Sequence, residues 1–508
     1  MFNLRGNCRT SGEQRRKESG NVFGEGSRTP ISITILVRKP KKDPNELANI
    51  LYKDIGDYLT REDKLKTIRD YSSILSASIG LSSIVPNEAG DWINQRDGLF
   101  ETFLPLECEG KFNTKSSSVF CVNSRGLETA RDSWVYNSSL HKLSETTSRM
   151  VAFYNEQVTA FVNRKESSVS AKDFITYDST KISWSTNLIE AVQKGATATF
   201  EQGRFSIGMY RPFFKQHVYR GEKFINRRGQ FDQFFPTPQS KNLVICVPGV
   251  GTKKGFMPFI VDTIPDVQLQ FNGQCFPLYH YEKNERDALS LFDNSEDEYL
   301  RRDAITDFIL QRAREEYGPR TTKEDIFYYV YGILHAKEYR ERFASDLQKS
   351  LPRLPLVEDT KTFKAFVSAG KKLAALHLNY ENVEPHPSVI VENDSVAPIV
   401  QQMRFGKTNG NEDRSIIHYN DSIKIINIPL RAYDWHVNGK SPLEWLMERY
   451  AVSINKDSHI RNDPNEWCKE NQQPRYILEL IGRIVNVSIQ TLDLIASLPP
   501  ISFKNVAD

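Results

Sequence analysis

The spacing of apolar residues changes near Tyr281, and this change limits the folds that the chain can adopt. Before that point, short β-branched and aromatic runs predict strands at Phe205–Tyr210, Leu243–Val247 and Phe259–Val261, with another near Ala196–Phe200. After it, apolar residues recur with helical spacing. The sequence therefore predicts an α+β protein in which a mixed, β-rich region precedes a mainly helical one.

Amphipathic segments predict helices on both sides of this change. The predicted helices are Arg61–Leu75, Leu143–Arg164, Lys361–Leu378 and Tyr476–Ala496. Thr321 and Glu324 have the spacing of a capping box, which predicts a further helix start there. Between two of these helices, Val389–Ile428 predicts a β insertion in which Ile423–Ile428 is the clearest strand.

The longest apolar runs are Ile31–Val37 and Leu243–Val250, and a bilayer-spanning helix needs about 20 such residues. The polar first residues also lack the apolar stretch of a secretory signal. We therefore expect a cytoplasmic protein with no membrane partner. Ile31–Val37 is rich in β-branched residues, which predicts a strand buried on both faces of a sheet. Its neighbours would then come from another chain, or would be missing from a truncated gene product.

Length and cysteine spacing exclude several classes of protein. At 508 residues the chain is too long for one core, so about two to four domains are expected. The six cysteines lie far apart, with no C-x-x-C pair and no nearby histidine cluster. This spacing argues against a zinc ribbon and against a disulfide scaffold, and we expect isolated buried thiols and no metal.

The formal net charge of +3 is nearly neutral, but the charge is unevenly distributed. Between Arg204 and Arg228 there are seven basic residues and one acid, Glu222. The stretch from Glu285 to Asp303 is instead strongly acidic. Charge that cancels over the whole chain but concentrates locally is typical of a protein with one basic groove.

The basic segment interleaves cations with aromatic and amide side chains, the combination that suits a nucleic-acid surface. Cations neutralise phosphates, Arg, Asn and Gln read base edges, and aromatic rings stack on extruded bases. The alternative is a strand pair with core-facing aromatics and solvated charges. The candidate DNA-binding residues are Tyr210, Arg211, Lys215, Gln216, Tyr219, Arg220, Asn226, Arg227, Arg228 and Gln230.

Weaker candidates lie elsewhere. Arg9, Arg15 and Arg16 belong to a polar loop that either contacts phosphate or is simply solvated. Arg131 is either a DNA contact or, with Asp132, a buried ion pair beside a buried tryptophan. Residues 249–255 resemble a phosphate-binding loop faintly, but the Gly-Lys-Ser/Thr ending is absent and a turn after a strand is the better interpretation.

Ordered matches along nearly the whole chain resemble the type ISP restriction–modification enzymes. These are single polypeptides that combine nuclease, translocase, N6-adenine methyltransferase and target-recognition parts. The matching segments are 2–13, 20–23, Ile31–Val37, 54–59, 91–94, 129–134, 210–213, 235–238, 242–246, 274–279, 325–332, and Trp445 with Tyr476–Ala496.

The sequence also lacks several motifs that the enzymes of this family need for catalysis. The resemblance implies an S-adenosylmethionine site, yet the glycine-rich cofactor loop and the Asn/Asp-Pro-Pro-Tyr-type catalytic loop are absent. The motor and nuclease motifs are also absent. We therefore expect no catalytic residue and no cofactor in this chain, and no methyl transfer by the chain alone.

The resemblance implies three regions. Residues 1–42 would be the last strands of the α/β methyltransferase sheet, 43–281 a β-rich DNA target-recognition region, and 282–508 a mainly helical remainder of the specificity domain. The partner would be double-stranded DNA, with a separately encoded methyltransferase, translocase or nuclease chain as a further candidate. Half of a split N6-adenine methyltransferase, an inactive gene remnant and a protein–protein scaffold remain as alternatives.

Overall fold

The computed structural model describes residues 1–9, 12–38, 48–74, 76–110, 112–164, 168–284 and 298–503. The predicted boundary between residues 42 and 43 and most of the acidic stretch therefore lie outside the described residues. So does Leu75, the predicted end of the first helix, which the structure ends at Tyr71. In the described part of the chain, helices and open sheets are mixed, as an α+β fold requires.

The strands are Phe2–Arg5, Ile31–Ile33, Ile50–Asp54, Ser82–Ile84, Leu104–Pro105, Ser124–Arg125, Tyr136–Asn137, Phe205–Arg211, Phe214–Tyr219, Val244–Val247, Phe259–Val261, Ile264–Pro265, Gln274–Pro277, Tyr279–Lys283, Tyr299–Asp303, Arg353–Leu354, Ile390–Glu392, Arg404–Thr408, Asn411–His418, Lys424–Ile426, Ser453–Ile454 and Arg461–Asn462. The α-helices are Gly12–Glu18, Arg61–Tyr71, Asp132–Val135, Leu140–Val162, Ala171–Phe174, Thr186–Gln193, Phe231–Phe234, Asp307–Tyr317, Lys323–His335, Lys337–Arg342, Asp346–Lys349, Thr360–Leu378, Pro442–Arg449, Pro464–Glu470 and Tyr476–Ala496.

The first sheet corrects the prediction for Ile31–Val37. The strand Ile31–Ile33 pairs with Phe2–Arg5 at the edge of a four-stranded sheet, not at its centre. Ile33 is 45% exposed and Leu36 is 84% exposed. The prediction of burial on both faces is therefore wrong, because β-branched composition reports strand propensity and not the number of neighbours.

Two four-stranded sheets form the centre of the β-rich region. In one, the fully buried strand Val244–Val247 pairs with Phe259–Val261 on one side and Gln274–Pro277 on the other. The second sheet contains the hairpin of Phe205–Arg211 and Phe214–Tyr219. The predicted strands in these segments are confirmed. The predicted strand near Ala196–Phe200 is wrong.

At Ala196–Phe200, side chains bond to the backbone where a neighbouring strand was expected. The Tyr154 hydroxyl donates to the Ala196 carbonyl oxygen, and the Asn155 amide donates to the Ala198 carbonyl and accepts from its N–H. Both side chains come from the helix Leu140–Val162, which packs against the hairpin. The backbone polar groups are thus satisfied without a ladder.

Three helices dominate the region after Tyr281. Lys323–His335 and Thr360–Leu378 pack closely because each carries a glycine at the crossing. A Cβ on Gly332 would lie 2.5 Å from the Phe366 carbonyl oxygen, and one on Gly370 only 1.9 Å from that of Tyr328. The third helix, Tyr476–Ala496, has the predicted bounds.

In this region the position of the capping box differs from the sequence prediction, whereas the β insertion agrees with it. The capping box is formed by Thr322 and Asp325, one residue later than predicted, since both arms of the box fit that pair. The β insertion is confirmed, with Lys424–Ile426 as one of its four strands. Among the described helices, none combines the length and the apolar character that a bilayer crossing demands.

Candidate nucleic-acid interface

An open cavity of about 320 Å³ lies beside the central hairpin. Three separate parts of the chain form it: residues 132–137, the hairpin strands Phe205–Arg211 and Phe214–Tyr219, and residues 448–462. Its lining residues are Asp132, Ser133, Tyr136, Asn137, Tyr210, Phe214, Gln216, Glu448, Arg449, Ser453, Ile454, Asn455, Ile460 and Asn462.

The hairpin is anchored by the tight turn at its tip. Phe213 adopts a positive φ of 59° in the connection between the strands and is fully buried. Its ring packs edge-on against those of Phe259, Tyr380 and Trp435. A β-strand points successive side chains to opposite faces, so this anchored turn fixes which hairpin residues reach the cavity.

Amide side chains from different elements meet across the cavity. Gln216 Nε2 donates to Asn462 Oδ1 at 3.0 Å and to the Ser138 hydroxyl at 3.3 Å. Asn455 Oδ1 accepts from the backbone of its own turn. The Gln216 Oε1 atom and the Nδ2 groups of Asn455 and Asn462 have no hydrogen-bond partner among the residues that the structure describes. The cavity therefore offers both donors and acceptors to a ligand.

A partly buried charge network lies along one wall of the cavity and continues behind it. The Tyr210 hydroxyl donates to Asp132 at 3.1 Å, and Arg211 Nη1 lies 2.7 Å from Asp266 Oδ1. The Arg211 guanidinium also stacks 3.9 Å from the centre of the Tyr210 ring. Burial raises the pKa of Asp266 to about 7, although Arg211 opposes this shift. These contacts hold the end of the strand in a fixed conformation.

The Tyr136 hydroxyl is a buried polar atom that, among the described residues, has no partner at the cavity. Tyr136 is buried, and its hydroxyl lacks a hydrogen-bond partner within the described part of the chain. Burial raises the pKa of this hydroxyl well above its ordinary value, so it stays a neutral donor and acceptor. The Tyr136 ring lies 4.7 Å from that of Tyr210, which gives the cavity an aromatic side beside its amides.

The structure separates the sequence-predicted candidates into groups. Tyr210 and Gln216 line the cavity, and Arg211 lies behind it, with a side chain 12% exposed. Lys215 points elsewhere, with its Nζ 2.5 Å from Glu381.

Two further candidates belong to the protein interior. Tyr219 and Arg220 are buried. The Tyr219 hydroxyl accepts from the Glu201 N–H, and Arg220 donates to the Phe235 carbonyl oxygen at 3.0 Å. These contacts use the polar groups of both side chains inside the protein.

The end of the basic segment forms a second surface around Glu128. Asn226 donates to the Glu128 carboxylate at 3.0 Å, and the 64% exposed Arg227 lies 3.7 Å from it. Arg228 pairs with Asp232 at 2.9 Å. The backbone N–H of Gln230 donates to the Ser124 hydroxyl. Arg227 is thus the predicted cation most available to solvent on this surface.

The weaker candidates differ from one another in exposure. Arg9 and Arg16 are exposed and Arg15, which is half-buried, donates to the Ser19 carbonyl. Arg131 is buried, and burial lowers its pKa to about 10.

The ion pair between Arg131 and Asp132, one of the two alternatives left open by the sequence, is not formed among the described contacts of Arg131. The Arg131 guanidinium donates to the carbonyl oxygens of Thr129, Ser183 and Phe224 and to the Ser185 hydroxyl. Within the described part of the chain, three carbonyl oxygens and a serine hydroxyl thus satisfy this cation without a carboxylate.

Sequence reasoning missed the third wall of the cavity. Arg449, Asn455 and Asn462 lie more than 200 residues from the hairpin in sequence, and no local motif links them to it. The only available signal was the polar, asparagine-rich stretch between the helices Pro442–Arg449 and Pro464–Glu470. Among the described residues, no group of three or more His, Cys, Asp and Glu side chains is placed to hold a metal ion.

Comparisons with known proteins agree on one family. Residues 118–480 match the type ISP C-terminal specificity domain. A solved structure of a nuclease-deletion mutant of the type ISP restriction–modification enzyme LlaGI, in complex with a DNA substrate mimic, is similar over 99% of this chain and 44% of its own, with 37% identity and a TM-score of 0.84. The ATP-dependent type ISP enzyme LlaBIII bound to DNA is similar over 99% of this chain and 31% of its own, with 33% identity and a TM-score of 0.82.

A more distant structure shares the fold. A DrdV–DNA complex is similar over 99% of this chain and 48% of its own, with 24% identity and a TM-score of 0.78. The chain thus spans less than half the length of each of these proteins. No curated protein matches it.

Proposed function

Since the chain belongs to the family of type ISP C-terminal specificity domains, we propose that it recognises a target sequence in double-stranded DNA for a restriction–modification system. The DNA in two related type ISP structures supports DNA as the partner. The nuclease and methyltransferase functions of a whole type ISP enzyme would belong to other parts of such a system. A cytoplasmic location and the lack of a cofactor in this chain belong to the same proposal.

The observation that carries the proposal is the set of free amide atoms in the cavity. Gln216 Oε1 and the Nδ2 groups of Asn455 and Asn462 are without protein partners among the described residues, and all three residues line the space of about 320 Å³. Asn and Gln amides form paired hydrogen bonds with base edges, and each good pair contributes roughly 1–3 kcal/mol of discrimination. In this proposal, Tyr210 supplies an aromatic surface beside them.

The other candidates divide into positioning residues and phosphate contacts. Arg211, Lys215, Tyr219 and Arg220 would hold the hairpin, because their polar groups already bind protein. Arg227, Arg228, Asn226, Gln230 and the N-terminal Arg9, Arg15 and Arg16 would contact the DNA backbone. Phosphate contacts fix position and affinity but carry no base information.

The decisive experiment separates these two roles. The full chain would be used to select duplexes from a random pool, and then tested against single-base variants of the selected site. Asn455→Ala should relax the preference at one base pair, by about 1–3 kcal/mol. Arg227→Ala should weaken binding to all sequences alike, and it should reduce the slope of log affinity against log salt concentration by about one.

The matched control is Asn471→Ala, an exposed asparagine that does not line the cavity. It should leave both affinity and base preference unchanged. A folded chain that binds no duplex at low salt would contradict the proposal as a whole. A chain that selects a site but keeps its full preference in Asn455→Ala would contradict the role of the cavity.

A second candidate is half of a split N6-adenine methyltransferase. The exposed apolar edge around Ile33, Ile35, Leu36 and Val37 favours it, because such an edge is suited to pairing with another strand. Its test is methylation of duplex DNA with S-adenosylmethionine after the chain is copurified with a second subunit. Methyl transfer by the pair, absent from either chain alone, would support this candidate.

A further inference from the structure

A group of cations surrounds Trp445 near the cavity. Lys440 Nζ lies 4.9 Å from the centre of the Trp445 ring, and the Arg449 guanidinium lies 5.6 Å from it. Trp445 and Arg449 belong to the helix Pro442–Arg449, and Lys440 lies just before its N-cap, Ser441. Arg449 also lines the cavity, so this group of cations lies at the cavity's edge.

Lys254 joins this group from a different part of the chain. Its aliphatic stem packs on Gly439, where an added Cβ would lie 3.2 Å from Lys254 Cβ, Cγ and Cδ. Gly439 has a φ of +85°, and a side chain there would also obstruct this contact. The Lys254 side chain thus passes beside Gly439, the residue before Lys440, and burial followed by the charges of Arg449 and Lys254 lowers the pKa of Lys440.

The acids near these cations are already shared. Glu448 pairs with both Lys440 and Arg449. Glu444 accepts from the N-terminal cap of its helix and lies 3.5 Å from Arg414. Among the residues that the structure describes, the Lys254 ammonium has no ion pair and no hydrogen bond. Within the described residues, Glu448 is therefore the only acid that forms an ion pair with any of the three cations.

The surroundings of Lys254 are unfavourable for its charge. Burial, followed by the nearby Arg211 and Arg449, lowers the pKa of Lys254. In addition, Arg449 Nε is buried without a partner in the described part of the chain. A half-buried cation repelled by other cations is stabilised when an anion binds.

We propose that Lys254, Lys440 and Arg449 form a binding site for one backbone phosphate of the recognised DNA. The inference rests on the proposed function and deepens it, because a phosphate held here would fix the register of the duplex beside the amide-lined cavity. It also assigns a role to residues 249–255 that differs from nucleotide binding. In this proposal the loop supplies one lysine side chain to a phosphate, whereas a nucleotide-binding loop surrounds a phosphate with its backbone.

The test compares Lys254→Gln with Lys253→Gln in the full chain. Lys253 is the exposed neighbour in the same loop and takes no part in the cation group. Binding to duplex DNA is measured across a salt series. In Lys254→Gln the slope of log affinity against log salt concentration should become shallower by about one, which corresponds to about an eightfold loss of affinity at 0.1 M salt. Lys254→Arg should retain most of the affinity. Equal losses in Lys253→Gln and Lys254→Gln would overturn the site, since they would indicate only diffuse charge.

A second measurement identifies the phosphate. In a series of duplexes, one phosphate at a time is replaced by a neutral methylphosphonate. At one position this replacement should weaken binding by the natural chain but should not weaken binding by Lys254→Gln. Inorganic phosphate at constant ionic strength provides the alternative source. The assignment to DNA would be overturned by two results together: inorganic phosphate raises the melting temperature of the natural chain but not of Lys254→Gln, and Lys254→Gln binds DNA with unchanged affinity.

The outcomes distinguish this inference from the proposed function. If the natural chain binds duplex DNA and Lys254→Gln binds it with the same salt slope, the phosphate site is wrong and DNA recognition stands. If the natural chain binds no duplex, DNA recognition by this chain is wrong as well. Circular dichroism melting of each variant confirms that a loss of binding is not a loss of folding.

Discussion

Removal of the Arg211 guanidinium should strongly destabilise the protein around the candidate site. Arg211 Nη1 lies 2.7 Å from Asp266 Oδ1, and the Asp266 side chain is only 2% exposed. Removing one partner of a buried ion pair leaves an uncompensated charge, at a cost of about 3–5 kcal/mol. We therefore expect the loss of unfolding free energy in Arg211→Ala to approach that amount only above neutral pH, where Asp266 is ionised in the natural chain.

This loss should depend on pH in a defined direction. Burial already raises the pKa of Asp266 to about 7, above its unfolded value, and loss of Arg211 would raise this pKa further. A carboxyl with a raised folded pKa favours folding below its unfolded pKa, and this contribution is lost as the pH rises through the folded pKa. The penalty for Arg211→Ala should therefore be larger at pH 8 than at pH 5.

Urea unfolding followed by tryptophan fluorescence measures both effects. Asp266→Asn removes the carboxylate, so the double variant with Arg211→Ala should be less destabilised than the sum of the two single changes. Arg227→Ala, at an exposed position, should change the free energy by no more than about 0.5 kcal/mol. A loss below about 1 kcal/mol for Arg211→Ala at pH 8, with no relief from Asp266→Asn, would refute the buried pair as the cause.

Two further predictions concern the helical region. Gly370→Ala should lower the melting temperature by several degrees, because its Cβ would lie 1.9 Å from the Tyr328 carbonyl oxygen; an unchanged calorimetric melt would contradict the close crossing. Burial lowers the pKa of His335 to about 3 and that of His377 well below its ordinary value, so their contribution to stability is complete above pH 6.5 and is lost as the pH falls below it. Unfolding free energies should stay nearly constant from pH 7.5 to about 6.5 and then fall by about 1.4 kcal/mol per pH unit for each of these two histidines down to pH 5, and the exposed His436→Gln control should leave that slope unchanged.

Elements with a strong helical period or a short continuous apolar run were predictable from the sequence. Tyr476–Ala496 was predicted with its observed bounds, and Phe205–Arg211 and Val244–Val247 within a residue or so. The apolar side chains that define the helical period of Tyr476–Ala496 enter the core, and Val244–Val247 is a continuous apolar run that is buried throughout. Ile31–Val37 failed because composition alone does not tell an edge strand from a central one.

The candidate site was predictable only in part, because its contacts join residues far apart in sequence. The aromatic and basic residues of the hairpin indicated a functional segment. Their partners did not follow from spacing: Arg211 pairs with Asp266, and Gln216 bonds to Asn462, 246 residues away. A basic residue whose partner is unknown looks the same in a sequence whether it binds DNA or a buried carboxylate.

The cavity gives a physical reason why recognition would require most of the chain. Two of its walls, residues 132–137 and the central hairpin, lie in the predicted region 43–281, and the third, residues 448–462, lies in the predicted region 282–508. Gln216 and Asn462 bond across this junction, so each orients the amide of the other. Base discrimination depends on amides held in fixed directions. A change in the packing of the helices that carry residues 448–462 would therefore alter base preference without touching the hairpin.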